Sequence, residues 1–278
     1  MIPGAPERVV HPSAAATPPT APPATPARWR PPAAVAAIVI GFAAGEGVAY
    51  GLIEGAGGDG APDWVAGAGL VLADVVALAV VVAFARHGAE RLTPATLGIR
   101  RTRFWPAAGW TLAIFVGALA AEALWTLLVG GRASHEPTGH RHDHGALVVA
   151  FLFLGVAVVA PTVEELAFRG YLFPALTRWR GPWIAAALTG LLFGAAHAGV
   201  YPLQLLPALA FFGFGACLLY WFTGSLLPCI AAHALNNSIV LSVDARLTWE
   251  APLAIAGSLV VAMVLLWPLA RERAPRPA

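Results

Sequence analysis

Eight long apolar runs divide this chain of 278 residues and leave few options for its fold. They cover residues 33–53, 65–86, 106–130, 146–178, 183–200, 203–222, 226–243 and 250–270. A helix needs about 20 predominantly apolar residues to cross the hydrocarbon core of a bilayer. Only 12% of the residues are charged, against about 25% in ordinary globular domains. The sequence therefore predicts an all-α fold, a polytopic membrane helical bundle with about eight transmembrane helices.

The basic residues, all of them arginines, indicate how this bundle is oriented. Only three of the 17 lie on one predicted side of the membrane: Arg132, Arg141 and Arg246. The other side carries Arg8, Arg28, Arg30, Arg86, Arg91, Arg100, Arg101, Arg103, Arg169, Arg178, Arg180, Arg271, Arg273 and Arg276. Because arginine-rich loops stay in the cytoplasm, both termini are predicted to be cytoplasmic. The net charge of +2 gives no sign of a nucleic-acid surface, so the expected surroundings are the lipid bilayer.

The composition of the two ends separates them from the predicted membrane domain. Residues 1–32 are rich in Pro, Ala and Thr, which is typical of a disordered tail that cannot bury a core. Residues 33–270 form the predicted transmembrane domain, and residues 271–278 a short cytoplasmic tail. The Ala- and Arg-rich, lysine-free composition fits a GC-rich genome, so we expect an integral protein of a bacterial plasma membrane.

Polar side chains interrupt the apolar runs at three places, and such residues usually mark a functional site in a membrane protein. Moving an ionised group into hydrocarbon costs several kcal/mol, so a membrane helix rarely carries one without a function. The residues are Glu164, Glu165 and Arg169 in the fourth run, His197 in the fifth, four residues after Phe193, and His233 and Asn237 in the seventh.

Helical spacing predicts how the acidic pair is used. Glu165 and Arg169 are four residues apart and share a face, so we expect Arg169 to neutralise Glu165. Glu164 is rotated by about 100° from Glu165, so the two carboxylates are expected to serve different partners. Pro161 removes a backbone hydrogen bond and is expected to kink or open the helix just before them.

The inferred turns bring the polar groups to a similar depth. Gly181 is the expected turn into the fifth run, and Gly224 the expected turn into the seventh. At 1.5 Å per residue, Glu164 and His197 lie roughly 21 and 24 Å from the same end of the bundle, and Asn237 roughly 20 Å. Independent helices are therefore predicted to deliver these groups to one place.

Two kinds of hydrolytic chemistry suit such a set of side chains. A carboxylate beside an imidazole can deprotonate a water, while a second imidazole and a carboxamide stabilise an oxyanion. Alternatively, two histidines and one glutamate form a known catalytic zinc set, here Glu164, His197 and His233. The His-Glu-x-x-His signature of zinc proteases is absent, and no serine or cysteine forms an evident nucleophile motif. Activated water, with zinc or without a metal, is therefore the expected nucleophile.

Three ordered motifs, spread over about residues 145–245, resemble the CPBP family of intramembrane proteases. They are Pro161-Thr-Val-Glu-Glu-Leu-Ala-Phe-Arg-Gly-Tyr171, Phe193-x-x-x-His197 and His233-x-x-x-Asn237. The family groups CAAX-prenyl endopeptidases with bacteriocin-processing and abortive-infection (Abi) proteins.

The resemblance implies an intramembrane endopeptidase that acts on a peptide or a membrane-anchored protein. Carried over by motif position, Glu164 would activate water with His197, and His233 and Asn237 would stabilise the oxyanion. Glu165, Arg169 and Phe193 would support the site. Both a metalloprotease and a metal-free glutamate protease are compatible with the family, and we favour glutamate-activated water.

Two other functions are compatible with the same residues. A non-catalytic scaffold or bacteriocin self-immunity protein could keep the fold and use it only for binding. A proton-coupled transporter could use Glu164 and the histidines as a relay, although the sequence lacks the repeat symmetry of many transporters. The His-rich loop of residues 135–144 could also bind a divalent metal, but a solvated loop is the expected interpretation.

Overall fold

A computed structural model describes residues 28–89, 91–129, 152–244, 247 and 250–274 of the chain. Within these ranges the secondary structure is helical, and β pairing is limited to isolated bridges. The helices are α1 (Pro31–Gly55), α2 (Asp63–Arg86), α3 (Phe104–Val129), α4 (152–180), α5 (182–196), α6 (Leu206–Thr223), α7 (Leu226–Asp244) and α8 (Ala251–Leu266). Where they are described, the ends of these helices lie within a few residues of the predicted runs.

Five helical segments in the described ranges are long and apolar enough to cross a membrane. They are Pro31–Gly55, Trp64–Arg86, Phe104–Trp125, Leu203–Thr223 and Leu226–Val243, and Ala251–Leu266 is a shorter apolar helix. The predicted class, an all-α polytopic membrane protein, is thereby confirmed. The predicted number of eight crossings stays a prediction.

Proline residues begin several of these helices and glycine residues end two of them, as the sequence suggests. Proline stands in the first turn of α1, α6 and α8, where its missing N–H leaves no intrahelical bond unmade. Gly181 separates α4 from α5 with a φ of 77°, and Gly224 caps α6 with a φ of 63°. Glycine adopts such left-handed angles without steric cost, so both predicted turns are confirmed.

Helix α4 occupies the centre of the bundle and places its polar residues away from lipid. It packs against α1, α2, α6, α7 and α8, and residues 163–173 are all buried. Around it, α1 pairs with α2, α5 with α6, and α7 with α8, while α3 lies on the outside against α6. Glu164, Glu165 and Arg169 of α4 are therefore enclosed by protein.

The arginine-rich segments meet at one end of the bundle. The Arg28 N–H donates to the Gly88 carbonyl (2.6 Å), and the Arg101 N–H donates to the Glu272 carbonyl (2.8 Å). Ser225, in the turn before α7, donates its hydroxyl to the Arg100 carbonyl. This clustering agrees with the charge asymmetry of the sequence, and the assignment of this end to the cytoplasm stays a prediction.

Two expectations about the margins of the domain need correction. Trp29 is buried and its indole donates to the Ala85 carbonyl (2.9 Å), so the packed region begins before residue 33. Arg169 is completely buried inside α4, so it does not belong to the surface charge at the arginine-rich end. Residues 1–27, the His-rich loop 135–144, Arg132, Arg141 and Arg246 lie outside the described residues.

Candidate active site

Helix α4 departs from regular α geometry on both sides of the acidic pair. Two π-helical segments, Gly155–Val159 and Leu166–Leu172, flank the α-helical turn Ala160–Glu165. In the first segment the Ala160 N–H donates to the Gly155 carbonyl, five residues back. The same register would pair residue 161 with the Val156 carbonyl, but Pro161 has no N–H. The predicted opening of the helix at Pro161 is confirmed, and it frees one backbone acceptor.

Asn237 uses the acceptor that Pro161 leaves free. Its side-chain Nδ2 donates to the Val156 carbonyl at 2.9 Å and so joins α7 to α4. One amide hydrogen of Asn237 is thereby committed to the protein, and the other remains for a ligand. Its predicted role at an oxyanion stays a prediction.

Glu165 and Arg169 form the predicted internal ion pair. Arg169 Nη1 donates to Glu165 Oε1 at 2.9 Å, and both side chains are fully buried. Arg169 also donates through Nη2 to the Gly213 carbonyl of α6 (3.1 Å) and lies over the Phe193 ring, 4.6 Å from its centre. The guanidinium therefore joins three helices as well as balancing one charge.

The expectation that the two carboxylates serve different partners is wrong, because His233 lies between them. Its Nδ1 is 2.9 Å from Glu165 Oε1, and its Nε2 is 3.9 Å from Glu164 Oε2. The 100° rotation along α4 separates the carboxylates, but the two nitrogens of one imidazole point in different directions and reach both.

His197 approaches Glu164 from another side. It is the residue that follows the last turn of α5, which ends at Ala196. Its Nδ1 bonds the Phe193 carbonyl at 2.8 Å, and its Nε2 is 3.9 Å from Glu164 Oε2. The Phe193 ring packs against His197 and His233, with ring centres 4.8 and 5.7 Å apart. Phe193 thus packs against both imidazoles, and its role in support of the site stays a prediction.

These hydrogen bonds fix which histidine nitrogens face the site. A carbonyl and a carboxylate can only accept, so Nδ1 of each histidine carries the hydrogen. In the neutral form, Nε2 of His197 and of His233 then presents a lone pair towards Glu164 Oε2. That oxygen is buried and has no hydrogen-bond partner in the described part of the chain. Three acceptors that converge in this way need a water, an added proton or a cation between them.

The donor set of Glu164, His197 and His233 suits zinc chemically, but its spacing is wide. Two ligands about 2.05 Å from a tetrahedral zinc are about 3.3 Å apart, whereas each Nε2 is 3.9 Å from Glu164 Oε2. Within the described residues, no three His, Cys, Asp or Glu side chains have metal-binding geometry. The two acceptors of one water molecule, each at about 2.8 Å from its oxygen, lie about 4.4 Å apart. The observed 3.9 Å falls between the spacing for zinc and the spacing for a bridging water, so it favours neither.

A cavity of about 580 Å³ opens onto these groups. His197, His233 and Asn237 line it, and apolar side chains from α3, α6 and α7 supply most of the remaining wall, among them Phe115, Leu119, Leu209, Phe212 and Val240. The cavity therefore offers a largely apolar space beside a small polar centre, which suits a substrate with apolar side chains next to the reacting bond.

Three residues contribute to the site without having been selected from the sequence. Val156 and Gly213 act through their backbone carbonyls, which are the same in every residue type and so cannot be recognised from the sequence. Pro161, five residues after Val156, is the one indication that the Val156 carbonyl is free. A Cβ at Gly213 would lie 2.9 Å from Phe193 Cβ, so this glycine permits the close approach of α6 to α5. Asn236, the residue before Asn237, also lines the cavity.

Comparison with known proteins agrees with the motif resemblance. Residues 144–239, which contain the acidic pair, both histidines and Asn237, match the family described as type II CAAX prenyl endopeptidase Rce1-like. The Bacillus subtilis (strain 168) protein named "Putative membrane peptidase YdiL" is 28% identical over 137 residues. This alignment covers 49% of the chain and 54% of the relative, so the chain spans about half the length of that protein. No solved structure matches. The segment that carries the three motifs in this integral membrane protein is thus similar to the CPBP family of intramembrane proteases.

Proposed function

We propose that this protein is an intramembrane endopeptidase in which Glu164 and His197 activate the attacking water. The observation that carries the proposal is the convergence of Glu164 Oε2 with Nε2 of His197 and of His233 at 3.9 Å each, beside the apolar cavity. A water held between Glu164 and His197 lies within hydrogen-bond reach of both groups. An ionised Glu164 takes one proton as the water oxygen attacks the scissile carbonyl carbon.

His233 and the free amide hydrogen of Asn237 then stabilise the negative charge on the carbonyl oxygen. Since Nδ1 of His233 is bonded to Glu165, its Nε2 can donate only when the ring is an imidazolium. The carboxylate of Glu165, at 2.9 Å, holds Nδ1 and so directs Nε2 towards the carbonyl oxygen. Collapse of the tetrahedral intermediate breaks the C–N bond, and the leaving amine takes the proton that Glu164 accepted.

The substrate class follows from the family and from the apolar wall of the cavity. We expect a peptide precursor or a membrane-anchored protein, with apolar residues beside the scissile bond. A prenylated CAAX segment is one member of this class. The expected location is a bacterial plasma membrane, with the arginine-rich end in the cytoplasm.

The test compares native membrane proteomes of cells that produce wild type or Glu164→Ala. We expect at least one protein fragment to disappear in the variant, because removing a general base lowers rates by about 10²–10⁴-fold. His197→Ala and His233→Ala should lose the same fragment. Glu54→Ala, which removes an exposed carboxylate outside the cavity, serves as the matched control and should retain it. A fragment that persists at full level with Glu164→Ala would contradict the mechanism.

A further inference from the structure

A second concave surface shares no lining residue with the active-site cavity. It is a groove of about 890 Å³ between α1 and the hairpin of α4 and α5. Its walls include Val35 and Val39 of α1, Trp179 of α4, and Leu188 and Leu191 of α5, and every residue that lines it is apolar. In a membrane protein such a groove is filled by hydrocarbon, because it offers water no hydrogen-bond partner.

One end of the groove is flanked by exposed arginines. Arg30 directly precedes the first lining residue, Pro31, and Arg180 directly follows Trp179. The Arg180 guanidinium lies over the Trp179 ring, 4.4 Å from its centre, so its charge stays at the mouth of the groove.

Trp29 explains why Arg30 points outward. The indole of Trp29 is buried, donates to the Ala85 carbonyl and packs edge-on against Tyr171, with ring centres 4.9 Å apart. Successive side chains of an extended segment point in opposite directions, and residue 30 has extended backbone angles. Arg28 and Arg30, on either side of Trp29, are therefore both exposed.

We propose that this groove is a binding site for one anionic phospholipid. An acyl chain lies along Val35, Val39 and Leu191, and the headgroup phosphate contacts Arg30 and Arg180. Basic pockets between membrane helices at the cytoplasmic face recognise such headgroups, and exposed tryptophans mark the headgroup level. The site is separate from the catalytic cavity and does not depend on the proposed hydrolysis.

The test is native mass spectrometry of the delipidated full-length protein with phosphatidylglycerol and phosphatidylcholine of identical acyl chains. Wild type should retain one phosphatidylglycerol in preference to phosphatidylcholine. Arg30→Ala and Arg180→Ala should each lower that preference about fivefold, the equivalent of about 1 kcal/mol for one arginine near an anionic headgroup.

Arg101→Ala is the matched control, because Arg101 also lies over an exposed tryptophan, Trp267, at 4.7 Å, and neither residue lines the groove. It should leave the preference unchanged. Val39→Trp, at an exposed position, should fill the groove and reduce retention of both lipids without changing any charge. Equal retention of the two lipids by wild type would overturn the proposal. The proposal would also be overturned if Arg101→Ala lowered the preference for phosphatidylglycerol as much as Arg30→Ala and Arg180→Ala do. Displacement of the lipid by inorganic phosphate at the same concentration would overturn it too.

Discussion

Replacing both members of the buried pair should destabilise the protein less than replacing either one. Glu165→Leu leaves the Arg169 guanidinium buried, with the Gly213 carbonyl as its remaining strong acceptor. Removing one partner of a buried pair costs about 3–5 kcal/mol of unfolding free energy. Arg169→Met should cost about 3 kcal/mol, at the low end of this range, because Glu165 Oε1 keeps the hydrogen bond from His233 Nδ1 at 2.9 Å.

The double variant Glu165→Leu/Arg169→Met removes both charges together. The double variant still lacks the hydrogen bond from His233 to the Glu165 carboxylate. A hydrogen bond to a charged group contributes about 1.5–3 kcal/mol, so the double variant should lose about that much unfolding free energy. If the two substitutions acted independently, their losses of unfolding free energy would add to about 6–8 kcal/mol. The expected coupling between the two residues is therefore at least about 3 kcal/mol.

Chemical denaturation in detergent micelles, with all four proteins in the same buffer, measures these free energies. Proteolysis supplies a second measurement, because Arg169→Met keeps the contact between His233 and Glu165 and should retain some activity. The double variant lacks this contact and should be inactive although it is stable. If the double variant lost as much stability as the two single variants combined, Glu165 and Arg169 would not compensate each other.

Three further predictions concern the frame of the site and its chemistry. Pro161→Ala restores an N–H that competes with Asn237 for the Val156 carbonyl. Proteolytic activity should therefore fall at least tenfold without a loss of thermal stability. Wild-type activity in this variant would show that the freed carbonyl is unimportant. Gly213→Ala places a Cβ 2.9 Å from Phe193 Cβ and 3.0 Å from Gly190 Cα. We expect this variant to lose about 1–3 kcal/mol of unfolding free energy, measured by thermal unfolding. An unchanged melting temperature would contradict this packing. Chelator treatment followed by metal analysis should leave full activity in a metal-free sample, whereas activity that returned only with added zinc would assign Glu164, His197 and His233 as metal ligands.

Much of the fold could be predicted from the sequence because a bilayer imposes simple rules on a chain. The length of each apolar run approximates the helix it forms, and Gly181 and Gly224 mark turns since their backbone angles are unfavourable for other residues. The pairing of Glu165 with Arg169 follows from a local spacing of four residues. Such features depend on neighbours in the chain and can be read without knowing how the helices pack.

The tertiary structure decided how groups from different helices meet. Sequence spacing suggested separate partners for Glu164 and Glu165, yet His233 lies between them because α7 packs against α4 at that level. The contact of Asn237 with the Val156 carbonyl also depends on this packing. Backbone acceptors have no residue-specific signature, so a sequence cannot indicate which of them a distant side chain will reach.

From the sequence alone, this chain can be assigned to the helical membrane bundles, and the acidic pair, Arg169, both histidines and Asn237 stand out inside its apolar runs. The cost of placing charge in hydrocarbon makes those residues conspicuous against an apolar background. The packing of the helices, by contrast, turns Nε2 of His197 and of His233 towards Glu164 Oε2. That orientation is set by what Nδ1 of each ring contacts, a backbone carbonyl in one case and Glu165 in the other, and such contacts exist only in the folded protein.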